Sequence, residues 1–217
     1  MPDFSILTSH LDLYMEGFVN TVYSSIIALI GSFVLGTIIA VFRITSIKPL
    51  RWAGTAYVEF IRNIPLLLVV YVFYLVLPSL GIVLSGFICG TIGLAVYTSS
   101  FIAEAIRAGI MSVPKGQTEA AMSSGLTYVQ TMRHVILPQA IKIVIPPLSN
   151  QFINLVKNTS VLSVVAGLDL MYFGDKVASK TYIYMDTYII VGLFYLLLTL
   201  PLSYMALQLE RRLAKRG

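Results

Sequence analysis

Charge is scarce in this sequence. Its 217 residues include 15 Lys and Arg and 10 Asp and Glu, 12% of the chain, where a soluble domain carries about 25%. A chain that is 57% hydrophobic with a mean hydropathy of +0.85 cannot hide its apolar surface in one globular core, so lipid must solvate part of it. Cysteine is almost missing as well. A single residue, Cys89, excludes a disulfide framework and a cysteine metal site, and in its uncharged surroundings it reads as a small buried apolar residue. No metal-ligand cluster is evident elsewhere. The N-terminus lacks a basic segment: Asp3, Asp12 and Glu16, and no Lys or Arg, precede the first apolar run, so a cleaved signal peptide is not expected. Long linkers, low-complexity tracts and internal repeats are also lacking. The net charge of +5 does not point to nucleic acid, because the basic residues sit in short clusters between apolar runs, where they act as topology signals.

What is present is a series of long apolar runs. Residues 21–42 carry no charge and would extend about 33 Å as a helix, enough to cross a bilayer. Residues 63–103 carry none either. As one helix they would reach about 62 Å, twice the hydrocarbon core, so the chain must fold back, with Pro78-Ser79-Leu80-Gly81 as the turn. The expectation is an all-α membrane protein, a single transmembrane domain over 1–217 with five spans at about 19–42, 57–77, 84–106, 138–162 and 187–209. The segments 43–51, 107–142 and 211–216 are basic and should face the cytoplasm. The N-terminal tail, the 78–85 turn and the polar loop 169–186 should face outside. That places the N-terminus outside and the C-terminus in the cytoplasm of a multi-pass inner-membrane protein. A closed barrel does not fit, because the runs are continuous rather than alternating.

The stretch 112–138 is a cytoplasmic loop with helical content of its own. Pro114 and Gly116 should end the third span, and Thr118 is placed to cap a short helix beginning at Glu119. Ala120, Ala121 and Met122 are good helix formers, Gly125 is the stop, and a helix resumes from Leu126 to Ile136 before Leu137-Pro138 leads into the next span. The product is a helix–turn–helix elbow with a small-residue surface, suited to docking a soluble partner.

These residues in this order, Glu119-Ala120-Ala121, Gly125 and Ile136-Leu137-Pro138, resemble the EAA loop of ABC importer permease subunits. Ser112-Val113-Pro114-Lys115-Gly116-Gln117 and Gln139-Ala140 around it are similar to the polar amino acid (histidine, glutamine, arginine-type) subfamily. So are the runs Glu59 to Leu67, Ala103 to Ile110 and Lys157-Asn158-Thr159-Ser160. The resemblance covers about residues 15–210. It implies a type I importer permease fold and a coupling helix in which Glu119, Ala120, Ala121, Gly125 and Pro138 engage an ATP-binding cassette subunit. It also implies a second permease chain, identical or paralogous, and an extracytoplasmic solute-binding protein that delivers an amino acid. The sequence holds no Gly-x-x-x-x-Gly-Lys-Ser/Thr loop, so ATP and Mg belong to the partner chain and this chain is expected to bind no cofactor and catalyse no reaction.

Two further features bear on transport. Glu59 and Arg62, and likewise Glu104 and Arg107, stand three apart and can pair on one helix face, either to neutralise charge near the interface or to act in gating. On the fourth span Asn150, Asn154, Lys157, Asn158 and Ser160 fall largely along one side, with Thr98, Ser99 and Ser100 at similar depth on the third. Such residues either line a substrate path or bond neighbouring helices. Gln151 beside them is neutral, where a carboxylate would suit a cationic substrate; together with the resemblance to the polar amino acid subfamily this implies glutamine or glutamate as the favoured substrate. A secondary transporter is the alternative, but it would need an ion-coupling site and usually more spans or an inverted repeat.

Overall fold

Polar groups at membrane depth must find partners inside the protein, and helices satisfy their own backbones. The computed structural model describes residues 5–214, and every regular element among them is helical. Asp3, Lys215 and Arg216 lie outside the described residues. A short turn, α1 (Ser5–Ser9), leads into the long α2 (Leu11–Ile44). Then come α3 (Lys48–Arg62), α4 (Leu66–Ser79), α5 (Gly86–Met111) and the elbow helix α6 (Lys115–Ser123). The chain continues through α7 (Tyr128–Thr131), α8 (Leu137–Asn158), α9 (Leu170–Thr181) and α10 (Tyr184–Ala214).

Three of these helices, α2, α5 and α10, are long and apolar enough to cross a membrane, and a fourth crossing results if the bent pair α3 and α4 counts as one. The sequence predicts that pair as one helix over 57–77, kinked at Pro65. Instead α3 and α4 meet at 109°. Proline forces the residue before it out of helical conformation, and Pro65 itself takes the extended N-cap position of α4 (φ −62°, ψ 142°). The helix α3 buries Gly54, Val58 and Ile61, one to two turns apart, and exposes Trp52 and Phe60. It is an amphipathic helix bent sharply away from α4.

The polar segment 169–186 is also more ordered than its composition suggests. Its helix α9 buries Leu170, Phe173, Gly174, Val177 and Ala178 against α2 and α10. The regular part of α8 ends at Asn158 and tightens into a 3₁₀ stretch, Thr159–Val165. Two wide π-helical stretches, Val72–Val76 and Met132–Ile136, each end two residues before a proline, Pro78 and Pro138. Proline cannot donate to the carbonyl four residues back and crowds it, which favours the wider turn just ahead.

Lipid supplies no hydrophobic force to pull helices together, so they associate by close packing of small residues. The seam between α2 and α5 follows this rule. Along α2, Ala28, Ser32, Gly36 and Ala40 recur every fourth residue and all are buried. A Cβ on Gly36 would stand 2.8 Å from both the Ile102 side chain and the Ser99 carbonyl oxygen. At the other end of α5, a Cβ on Gly86 would overlap the Val165 carbonyl at 1.7 Å.

Gly36→Leu should therefore force α2 and α5 apart and cost about 1–3 kcal/mol, seen as a lower melting temperature and lost monodispersity in detergent. Gly192→Ala, on α10 with nothing within 4 Å, should be neutral or stabilise by up to about 1 kcal/mol. Equal behaviour of the two variants would contradict the seam.

Candidate functional site

The elbow is built by consecutive backbone decisions. Pro114 takes the N-cap position of α6 (φ −56°, ψ 134°), so the helix begins at Lys115 rather than Glu119. Thr118 lies within it instead of capping it; a proline has already supplied the helix start, leaving the threonine no terminus to cap. Gly125 does end the helix. Its φ is +87°, its N–H donates to the Met122 carbonyl at 3.0 Å, and the Leu126 N–H donates to the Ala121 carbonyl at 3.2 Å, which is a Schellman motif. The next helix starts at once with a capping box. The Thr127 hydroxyl accepts from the Gln130 N–H (3.4 Å), and the Gln130 side-chain oxygen accepts from the Thr127 N–H (2.9 Å).

The resulting elbow is held on one side and open on the other. Val113, Ile136 and Ala140 form a buried cluster with Ile110, Met132 and Val135, tying the elbow to the end of α5 and the start of α8. Glu119, Ala120, Met122, Gly125 and Pro138 are exposed, while Ala121 is buried. Tyr128 and Val129 are 58% and 71% exposed, so the outward face is apolar as well as polar. Beneath it a cavity of about 190 Å³ is lined by Lys115, Thr118, Tyr128 and Thr131 together with Ile44 and Met111.

One carboxylate braces this end of the molecule. Glu104 holds Arg107 at 2.7 Å, as the spacing predicts, and also bonds Arg43 from α2. Arg43 was legible only as a topology signal; nothing in its local sequence points to Glu104, 61 residues away. Its side chain is 7% exposed. The expected pair Glu59–Arg62 does not form. Arg62 sits 5.2 Å from the centre of the Phe101 ring, and the Glu59 carbonyl accepts from the Asn63 side chain. At the C-terminal end of α3 the guanidinium gains more from the aromatic face of α5 than from an exposed carboxylate.

The polar residues of α8 lie beyond the elbow on the same helix. Asn150, Asn154 and Lys157 are exposed, and Gln151 and Asn158 are half-buried. Pro138 and Lys157 are about 29 Å apart along this helix, whose middle carries Pro146 and Pro147. Thr98 is 3% exposed and Ser99 and Ser100 are fully buried. Ser99 and Ser100 donate to carbonyls of their own helix, and Ser99 also meets the Tyr57 hydroxyl at 2.8 Å. These α5 groups therefore share no surface with the α8 row. Among the described residues no cluster of metal-ligating side chains occurs.

Sequence reasoning missed a polar knot at the other end. Asp169 is fully buried and caps α9, accepting from the N–H groups of Met171 (3.0 Å) and Tyr172 (3.4 Å). The Tyr195 hydroxyl approaches it at 3.5 Å and Thr159 at 3.4 Å, and the Leu170 N–H donates to Thr21. Four elements meet there, α2, the 3₁₀ stretch after α8, α9 and α10. Burial pushes the Asp169 carboxyl up to about 7, against the opposing pull of its two backbone donors. The signal for this helix was Asp169 directly before Leu170, Phe173 and Val177.

Residues 32–215 match the model of the family described as "Binding-protein-dependent transport system inner membrane component". The chain belongs to this family. It is 65% identical over 211 residues to the probable glutamine ABC transporter permease protein GlnM of Bacillus subtilis (strain 168), covering 97% of this chain and 98% of that protein. A second relative, the probable glutamine ABC transporter permease protein GlnP of the same organism, is 35% identical, with 94% of each chain covered. The crystal structure of an amino acid ABC transporter with histidines matches at a TM-score of 0.92 and 37% identity, over 98% of this chain and 99% of that one. The fold is thus the type I ABC importer permease fold, in a multi-pass inner-membrane component that works within a transport system rather than as an enzyme.

Glu104→Ala should leave Arg43 buried without a counter-charge and cost about 3 kcal/mol, read as thermal stability in detergent. Arg107→Ala, 32% exposed, should cost less. Asp169 binds a proton in the folded chain that the unfolded chain releases near pH 4, so its contribution opposes folding increasingly as pH rises from about 4 to about 7. Asp169→Asn keeps the cap and should flatten that part of the stability profile; an unchanged slope between pH 5 and 8 would contradict the assignment.

Proposed function

We propose that this chain is the membrane-spanning permease of an ATP-driven importer for a polar amino acid, with glutamine or glutamate as the favoured substrates. Two permease chains, identical or paralogous, would enclose the path. Two ATP-binding cassette subunits, which hold ATP and Mg, would dock beneath them, and an extracytoplasmic solute-binding protein would deliver the amino acid from outside. The basic clusters support five crossings with the N-terminus outside and the elbow and C-terminus in the cytoplasm. In that reading α8 is the fourth span and the α3–α4 pair contains the second.

The observation that carries this reading is the elbow. It exposes Glu119, Ala120, Gly125 and Pro138 on one face and is packed through Val113, Ile136 and Ala140 onto α5 and α8 on the other. A force applied at the exposed face would move α5 and α8 together. Because α8 also carries Asn150, Gln151, Asn154, Lys157 and Asn158, closure of the ATP-binding subunits would reach the polar row through one continuous helix. The row supplies amide donors and acceptors and one ammonium for a zwitterionic substrate carrying a side-chain amide or carboxylate, and it holds no carboxylate that would favour a cationic one. Thr98 would act behind this row, through helix packing. The relatives GlnM and GlnP of Bacillus subtilis are themselves named as probable glutamine permeases.

The elbow is tested by co-purification. The native chain extracted from its own membranes in mild detergent should bring down a stoichiometric ATP-binding protein. Gly125→Arg, which puts a bulky residue at φ +87°, should lose it while remaining in the membrane. Glu119→Arg, at an exposed helical position, should weaken the association without disturbing the fold. Retention of the partner by both variants would place the coupling surface elsewhere.

A further inference from the structure

On the side of α8 turned away from its polar row, two adjoining cavities form one groove between α2 and α10. The first, about 450 Å³, is walled by Val22 and Leu29 of α2, Leu155 of α8 and Leu197 of α10. The second, about 390 Å³, continues along α10 to Gln208 and Arg212 and includes Ser149. Phe152 and Leu202 line both. At about 100° per residue, the groove-lining Phe152, Leu155 and Val156 lie about half a turn around α8 from Asn150, Asn154 and Lys157. Ser149 and Ile153 stand at the edge between the two faces, so an occupant seated on Phe152, Leu155 and Val156 leaves Asn150, Asn154 and Lys157 free.

The dimensions and chemistry select the occupant. From Leu197 to Arg212 the groove follows α10 for about 22 Å, which equals one leaflet of a bilayer about 40–45 Å thick with its headgroups. Its upper walls are apolar. Its lower end presents the guanidinium of Arg212 and the amide of Gln208, both able to donate to a phosphate. Among the described residues no carboxylate pairs with Arg212.

We propose that this groove is a binding site for one anionic phospholipid, its acyl chain lying between α2, α8 and α10 and its phosphate held by Arg212 and Gln208 at the basic end of α10. The basic end of α10 then meets the leaflet whose surface is negative. The site needs neither substrate nor ATP, so it stands or falls separately from the import reading.

The test is native mass spectrometry of the detergent-purified intact complex, titrated with phosphatidylglycerol and, separately, with phosphatidylcholine. One phosphatidylglycerol per permease chain should persist, bound about tenfold more tightly than phosphatidylcholine. Arg212→Glu should abolish that preference, while Arg211→Glu, which does not line the groove, should leave it. Leu202→Trp, or Ala206→Phe should the first fail to fold, should reduce retention of both lipids by filling the groove. Equal losses in Arg211→Glu and Arg212→Glu would mean surface attraction only and overturn the site. So would a disulfide between two copies of Leu202→Cys, since that would place a second chain in the groove; the native Cys89 is buried and does not interfere.

Discussion

The close approach of α2 to α5 is the constraint on which the rest of the molecule depends. In a bilayer two apolar helices gain little by hiding from lipid, so their association rests on contact at short range. Ala28, Ser32, Gly36 and Ala40 provide that contact by leaving room for α5, whose Ile102 and Ser99 fill the space above Gly36. Polar side chains in the seam follow the same logic: Ser32, Ser99 and Ser100 each donate to a carbonyl of their own helix, so none is left unsatisfied as the helices close. With α5 fixed, the other elements acquire their places. Gly93 admits Val70 of α4, Gly109 admits Val144 of α8, and Gly86 admits the 3₁₀ stretch after α8.

That arrangement makes α5 the common wall between two ends with different tasks. At the basic end Glu104 ties α5 to Arg43 of α2, and the cluster of Val113, Ile136 and Ala140 ties it to the elbow. At the other end Asp169 gathers α2, α9 and α10 around the end of α8. The helix α8 runs between the two, held at both. Its prolines sit in the middle, where missing backbone bonds lower the resistance to bending. A permease that must open alternately to either side needs such a member, anchored at its termini and yielding between them.

Much of this was legible in the sequence, for identifiable reasons. Uncharged runs such as residues 21–42 and 84–103 announce helices because length and hydropathy alone decide them, and α2, α5 and α10 correspond to spans expected on that basis. The elbow was legible because Pro114 and Gly125 act on the backbone locally, although the proline, rather than Thr118, marks its start, and the capping box at Thr127 emerges only from the structure. The 109° turn at Pro65 was hidden because the apolar run continues through it, and hydropathy carries no information about direction. The helix α9 was hidden for the opposite reason: Asp175, Lys176 and Lys180 make it look like a loop, while the residues it buries form a sparse stripe. Partnerships across distant helices, Arg43 with Glu104 and Tyr57 with Ser99, have no local signature at all, and Glu59 and Arg62 show that favourable spacing does not compel a pair where an aromatic ring offers the guanidinium another contact.

The most direct test of the central claim, that this fold transmits the energy of ATP to a polar path, is uptake in proteoliposomes. The chain would be reconstituted with its ATP-binding partner, with ATP enclosed, and supplied from outside with its solute-binding protein and labelled glutamine. Uptake that requires enclosed ATP and persists when an uncoupler has collapsed the ion gradients is the predicted result. Uptake that follows the ion gradient and ignores ATP would contradict it.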